Sequence, residues 1–211
     1  MKRKDIYCIL LIILSFIMAI LTFNKIPEMI PIHWGINGEA DNFVSKYFTF
    51  LLPIIILILY VLFKFIPKID PRKNNYEKYK KSYENIICAF ISFLFALYIC
   101  TLLIYLGYNI PITKITLIAV GVLFMIIGNY LPKSKSNFYF GIKTPWTLSN
   151  DTVWKKTHRL GGKLFTIGGL AIILTSIFLK NGLLFFSFIV ITLIISIIPT
   201  IMSYVYFKKE C

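Results

Sequence analysis

Residues 129–163 read NYLPKSKSNFYFGIKTPWTLSNDTVWKKTHRLGGK. Apolar runs of membrane-spanning length lie on both sides, so this polar stretch decides how the chain is laid out. It holds Trp146 and Trp154, two of the three tryptophans, and His158, one of the two histidines. It also carries seven of the 23 Lys and Arg residues. Connectors between packed helices are usually short, about 2–8 residues. This one is long and rich in turn formers, aromatics and hydrogen-bonding side chains, which makes it the expected functional centre.

Outward from it, the chain of 211 residues is 58% hydrophobic, above the roughly 45–50% of soluble domains. About 20 helical residues cross a bilayer core roughly 30 Å thick. Runs at 6–23, 47–65, 86–106, 114–131, 162–179 and 183–207 approach or meet that length. They predict an all-α integral membrane protein, a bundle of six transmembrane helices with no large soluble domain. The run after MKRK is longer than the apolar region of a signal peptide, and no small-x-small site follows it, so it is read as an uncleaved first span.

The net charge is +14, and its distribution gives the orientation. Lys and Arg concentrate at Lys2, Arg3 and Lys4, in 64–85, in 129–163, and at Lys208 and Lys209. Only Lys25, Lys46, Lys114 and Lys180 lie in the alternate connections. Positive-inside bias therefore predicts both termini in the cytoplasm. No groove-reading motif accompanies the charge, so membrane lipid is an expected partner and direct nucleic-acid binding is not. The middle of each span lacks ionisable residues, which argues against a coupled transporter or charged pore. Cys8, Cys88, Cys100 and Cys211 form no CxxC pair and are read as unpaired thiols, with no metal site and no cofactor expected.

Three regions follow. Residues 1–66 form a two-span unit with an external loop, 67–113 a basic cytoplasmic loop and the third span, and 114–211 spans four to six with the cytoplasmic motif. The external loop, NKIPEMIPIHWGINGEADNFVSK at 24–46, has Pro27 and Pro31 against regular helix and Gly35, Asn37 and Gly38 as turn formers. His33 and Trp34 sit at its centre beside Glu39 and Asp41. One histidine without close ligand spacing is weak grounds for a metal, so a folded interfacial loop is expected. Pro53 predicts a tolerated kink in the second span. Tyr76, Tyr79 and Tyr83 share one helical face and read as an interfacial anchor.

Within 129–163, Asn129 is placed to tie loop backbone to a helix end, and Pro132 ends the fourth span. Ser149 is the expected N-cap and Asp151 the first-turn acid of a short amphipathic helix on the inner leaflet, with Val153, Trp154, Thr157 and His158 at one-turn spacing. Ser149, Asp151 and His158 invite a triad, but no nucleophile elbow or oxyanion loop accompanies them. Gly161, Gly162 and Lys163 lack the P-loop spacing. No enzymatic activity is expected. Gly121 with Gly128, Gly161 with Gly168, and Gly162 with Gly169 are each seven apart, predicting close glycine-mediated packing of spans four and five.

The run NFYFGIKTPWT followed by V-W-x-x-T-H resembles the signature of the SdpI family, named after an immunity protein against a secreted sporulation-delaying toxin. IPIHWGINGEAD, with its P-x-H and G-x-x-D elements, is similar to a domain of unknown function that often precedes that signature. Lys143 stands where an arginine is common, keeping the charge without the bidentate fork. The resemblance implies a membrane immunity protein binding or neutralising a secreted membrane-active peptide. The peptide would be met from outside by His33, Trp34 and Asp41. Asn129, Asn137, Gly141, Lys143, Thr144, Pro145, Trp146, Trp154, Thr157, His158 and Arg159 would fix the cytoplasmic segment or report binding, with a transcriptional repressor held at the membrane as a second partner. The alternatives are a membrane signalling adaptor unrelated to toxin and a small multi-span transporter.

Overall fold

Six helices are long and apolar enough to cross a membrane. They belong to a computed structural model that describes residues 3–210; Lys2 and Cys211, both read above, lie outside it. In order come α1 (Arg3–Thr22), β1 (Met29–Trp34), β2 (Ala40–Ser45), a 3-10 turn (Lys46–Phe50), α2 (Leu51–Ile69), α3 (Lys73–Tyr105), α4 (Ile112–Tyr130), a 3-10 turn (Leu131–Lys133), α5 (Pro145–Ser149), α6 (Asp151–Phe178) and α7 (Asn181–Glu210).

The chain is mostly helical rather than all-α, because β1 and β2 pair as an antiparallel hairpin. Pro31 forbids helix but not an edge strand, since two strands alone leave outward N–H positions that need no partner. The expected kink at Pro53 is also absent as a feature of the helix interior. Pro53 is the third residue of α2, in the first turn, where its missing N–H costs no intrahelical bond. Pro67 lies inside α2, two residues before its end, so the basic connection starts later than the prolines suggest.

The tyrosine face is buried, not interfacial. Tyr76, Tyr79 and Tyr83 are 4%, 4% and 7% exposed, and they pack with Cys8, Ile12, Ile56, Ile87 and Ile91 where α1, α2 and α3 meet. Their rings stack edge-on or tilted at 5.3–6.3 Å. Tyr79 has φ −132° and ψ 20°, which bends α3 and sets the tyrosines inward. Cys8 and Cys88 face each other there with Sγ atoms 3.6 Å apart, a meeting that spacing did not reveal.

α6 is one helix, where a short surface helix and a separate span were expected. Its 28 residues reach about 42 Å at 1.5 Å per residue, so the first turns extend beyond a roughly 30 Å hydrocarbon core. Its N-cap is Asn150, not Ser149: Asn150 Oδ1 accepts from the N–H groups of Thr152 and Val153 at 2.8 and 3.2 Å.

α4 and α6 meet backbone to backbone through glycine. A Cβ on Gly121 would lie 2.6 Å from the Gly169 carbonyl oxygen, and one on Gly128 2.7 Å from that of Gly162. Only the 162/169 pair faces α4. Gly168 turns to Ile195 of α7, and Gly161 to Ile142 of the central segment. Adjacent residues differ by about 100° around a helix, so the two registers serve different neighbours.

Candidate functional site

Two polar constructions stand at opposite ends of the bundle. The first is the hairpin. Ile30, 0% exposed, anchors it among Ala19, Tyr98 and Leu102. At its base Lys46 pairs with Glu28 at 2.7 Å. At its tip Gly35 donates to the Glu39 carbonyl at 2.9 Å, and Gly38 takes the left-handed φ of +81° that the reversal needs. The pairing slips on either side of His33, which re-aims the strand as bulges do. His33 Nδ1 lies 2.5 Å from Asp41 Oδ1. A carboxylate only accepts, so Nδ1 carries the hydrogen and Nε2 is left for another partner. Both side chains are more than half exposed. They stand on the wall of an apolar cavity of about 680 Å³ between the hairpin and the starts of α4 and α7, with Trp34, Ile36, Ile112 and Phe185 among its lining. His33, Trp34 and Asp41 are thus brought together.

The second construction fills the basic end. Asn137, 0% exposed, has every hydrogen-bonding position engaged. Its Oδ1 accepts from the N–H groups of Tyr139 and Phe140 at 3.0 and 2.6 Å, and its Nδ2 donates to the carbonyls of Lys135 and Phe140, each at 2.9 Å. Tyr76 Oη lies 3.2 Å from Asn137 Oδ1 and 3.0 Å from Asp70 Oδ2, sharing one hydrogen between two acceptors. Asp70, 2% exposed, also accepts from the N–H groups of Arg72 at 2.7 Å and Phe138 at 2.9 Å. Arg72 reaches the Leu148 carbonyl at 2.8 Å, bonds Ser136 Oγ, and lies over the Phe138 ring. Asn75 donates to the Ser136 carbonyl at 2.7 Å.

His158 locks the other side. It is fully buried. Nε2 accepts from the Ile142 N–H at 3.0 Å, and Nδ1 lies 2.8 Å from the Trp154 carbonyl. One nitrogen must accept and the other donate, so the ring is neutral with its proton on Nδ1. It stacks on Trp154 at 3.9 Å and 17°, whose Nε1 donates to the Ser134 carbonyl at 3.2 Å. Gly141 has φ +116°, and a Cβ there would strike His158 Nε2. Both imidazole nitrogens are therefore committed away from Ser149, which is exposed and donates to the Trp146 carbonyl at 3.1 Å. The three residues of the conceivable triad form no relay.

The remaining motif residues divide by direction. Thr144 caps α5 in a reciprocal box with Thr147, with Pro145 at the first turn. Thr144 Oγ1 meets Ser203 Oγ of α7 at 3.0 Å, and Trp146 packs on Tyr204 at 5.0 Å. Thr157 is buried. Lys143 and Arg159 point outward. Asn129 does not tie the loop to the helix end as expected: it is exposed, and its amide makes no hydrogen bond among the described residues. The sequence gives no reading of Asp70, Arg72 or Asn75, and reads Tyr76 only as part of an interfacial anchor. The Asp-Pro step at 70–71 and the tyrosine spacing were the available signals, but their partners lie 60 or more residues away.

Comparison with known proteins accords with this two-part layout. The sequence model of the SdpI/YfhL protein family matches residues 133–203, and that of a domain of unknown function (DUF1648) matches residues 10–57. The "Immunity protein SdpI" of Bacillus subtilis (strain 168) is 35% identical over 208 residues, covering 98% of this chain and 97% of that protein. No solved structure matches.

Proposed function

This chain belongs to the SdpI/YfhL protein family, and from that premise we infer that it is an immunity protein of the bacterial membrane, protecting the cell against a secreted membrane-active peptide without catalysis. The observation that carries the reading is the similarity to an immunity protein along nearly the whole of both chains. The excess of Lys and Arg in alternate connections supports an orientation with both termini and the 129–163 motif in the cytoplasm. The hairpin then faces outward, where a secreted peptide arrives.

In this reading the cavity beside the hairpin receives part of the peptide. Trp34, Ile36 and Phe185 supply apolar contact, and the free Nε2 of His33, oriented by Asp41, supplies a directional hydrogen bond. The basic motif holds α3, α4, α6 and α7 in one arrangement and presents Lys143, Lys155 and Arg159 outward. That outward display supports a second role as a landing surface for a cytoplasmic repressor.

Expression in a strain sensitive to the secreted peptide tests the reading. The intact chain is expected to raise survival. His33→Ala and Asp41→Ala should each weaken peptide binding about tenfold or more, as loss of a central interface contact does, with membrane abundance unchanged. Sensitivity that is the same with and without the intact chain refutes the immunity role. Full protection by both variants refutes the hairpin site alone.

A further inference from the structure

A second cavity, of about 540 Å³, opens at the basic end between the last turns of α2 and the first turns of α3. Its walls change character with depth. Lys64 and Lys68 are one turn apart on α2. Lys73, Glu77, Lys80 and Glu84 follow at spacings of four, three and four along one face of α3. Phe63, Pro67 and Ile87 form the apolar part.

Several of these charges are engaged within the protein. Glu77 pairs with Lys80 at 2.5 Å, Glu84 with Lys4 at 3.6 Å, and Lys64 with Asp5 at 2.7 Å. Lys68 and Lys73 are exposed, and their ammonium groups make no hydrogen bond or ion pair among the described residues. Depth follows from chain length. About 20 residues span the hydrocarbon core. Counted from the start of the 3-10 turn at Lys46, that length ends close to Lys64. Counted back from Tyr105 on α3, it ends close to Ile87. On α2 this puts Lys64 at the edge of the core and Lys68 one turn beyond it, at headgroup level; Lys73 lines the same cleft, and Phe63 and Ile87 mark the start of its apolar wall.

We propose that this cleft binds the phosphate of an anionic phospholipid. Lys68 and Lys73 supply the unspent charge and the N–H donors, as basic pockets between membrane helices do. The start of the acyl chain lies over Phe63 and Ile87, continuous with the outward apolar surface of α2 at Leu62 and Phe65. A free phosphate ion would satisfy the lysines and leave the apolar wall unused, so the lipid is the fitting source. The site is separate from the hairpin cavity and does not depend on the immunity reading.

The test uses the full chain in phosphatidylcholine nanodiscs containing graded phosphatidylglycerol. Bound lipid is read by native mass spectrometry and stability by the thermal midpoint. Each basic residue near the surface contributes about fivefold in affinity, so K68Q/K73Q is expected to weaken phosphatidylglycerol binding by roughly 25-fold and to lose the accompanying rise in midpoint. K78Q/K81Q removes two lysines of the same helix that do not line the cleft and should change affinity less than about threefold. Equal losses in the two double variants would mean a diffuse surface field and overturn the site. So would unchanged binding by K68Q/K73Q, or no preference of the intact chain for phosphatidylglycerol. Inorganic phosphate in pure phosphatidylcholine discs is expected to leave the midpoint unchanged; a rise matching that of the lipid would assign the cleft to the free ion and overturn the lipid assignment.

Discussion

The His158 imidazole is built into its surroundings by three separate contacts: a backbone donor at Nε2, a backbone acceptor at Nδ1, and the Trp154 ring against its face. Gly141 completes the fit, since it combines φ +116° with direct approach to the ring. Gly141→Ala is expected to lower stability by about 2 kcal/mol or more, from backbone strain together with displacement of the ring. Gly107→Ala is the informative comparison. Gly107 has φ +91° but open space around it, so it carries strain without collision and should cost less. Thermal unfolding of both variants in detergent checks this; equal losses would remove the ring contact from the argument. The sequence displayed His158, Trp154 and Gly141 as special residue types in one motif. It did not display Asp70 or Arg72, because a buried carboxylate is recognisable only when its donors are known, and the Phe138 N–H is 68 residues away.

Elements are held by what their faces omit as well as by what they carry. Little hydrophobic drive brings helices together in lipid, so close backbone approach between small residues matters more than in water. Gly128→Leu would place its first side-chain carbon 2.5 Å from Thr166 Oγ1 and 2.7 Å from the Gly162 carbonyl. It is expected to destabilise the α4–α6 pair by about 3 kcal/mol, the upper part of the usual overpacking range. The 134–148 segment leaves from the end of α4 and packs on α6 through Ile142 and Ser134, so trypsin should then cut it faster at Lys135 and Lys143. Gly168→Leu meets Ile195 of α7 instead, and should leave that cleavage rate closer to the parent's. The seven-residue glycine spacing was readable in the sequence. The choice between two adjacent registers was not, since both satisfy the same period. The hairpin was hidden for a related reason: strands broken at His33 lack the clean alternation that marks a half-buried strand.

At the scale of the whole molecule, charge separates the ends. The hairpin end carries few Lys or Arg, and the motif end carries most of them. This predicts opposite accessibility for Asn37, at the hairpin reversal, and Lys143, in the motif. In a cysteine-free background, Asn37→Cys should react with a membrane-impermeant maleimide in intact cells. Lys143→Cys should react only after the membrane is opened. Labelling of position 143 from outside would invert the proposed orientation and move the hairpin away from any secreted peptide. Six spans could be counted from apolar length alone, because backbone desolvation forces each crossing into a complete helix. Which spans touch depended on contacts between distant segments.

The clasp formed by Asp70, Arg72, Asn75 and Tyr76 bears on how far this architecture can be cut and recombined. These four residues lie in neither matched region, 10–57 nor 133–203, yet they close hydrogen bonds on Ser136, Asn137, Phe138 and Leu148. The signature module is therefore not a self-contained cassette. A chimaera that moved residues 133–203 onto foreign spans would leave the Phe138 N–H and the Ser136 and Leu148 carbonyls without these partners, at about 1–3 kcal/mol for each that stayed buried and unpaired. A viable graft carries the α2–α3 corner with it, and the unit of inheritance by folding is larger than the unit visible as a sequence signature.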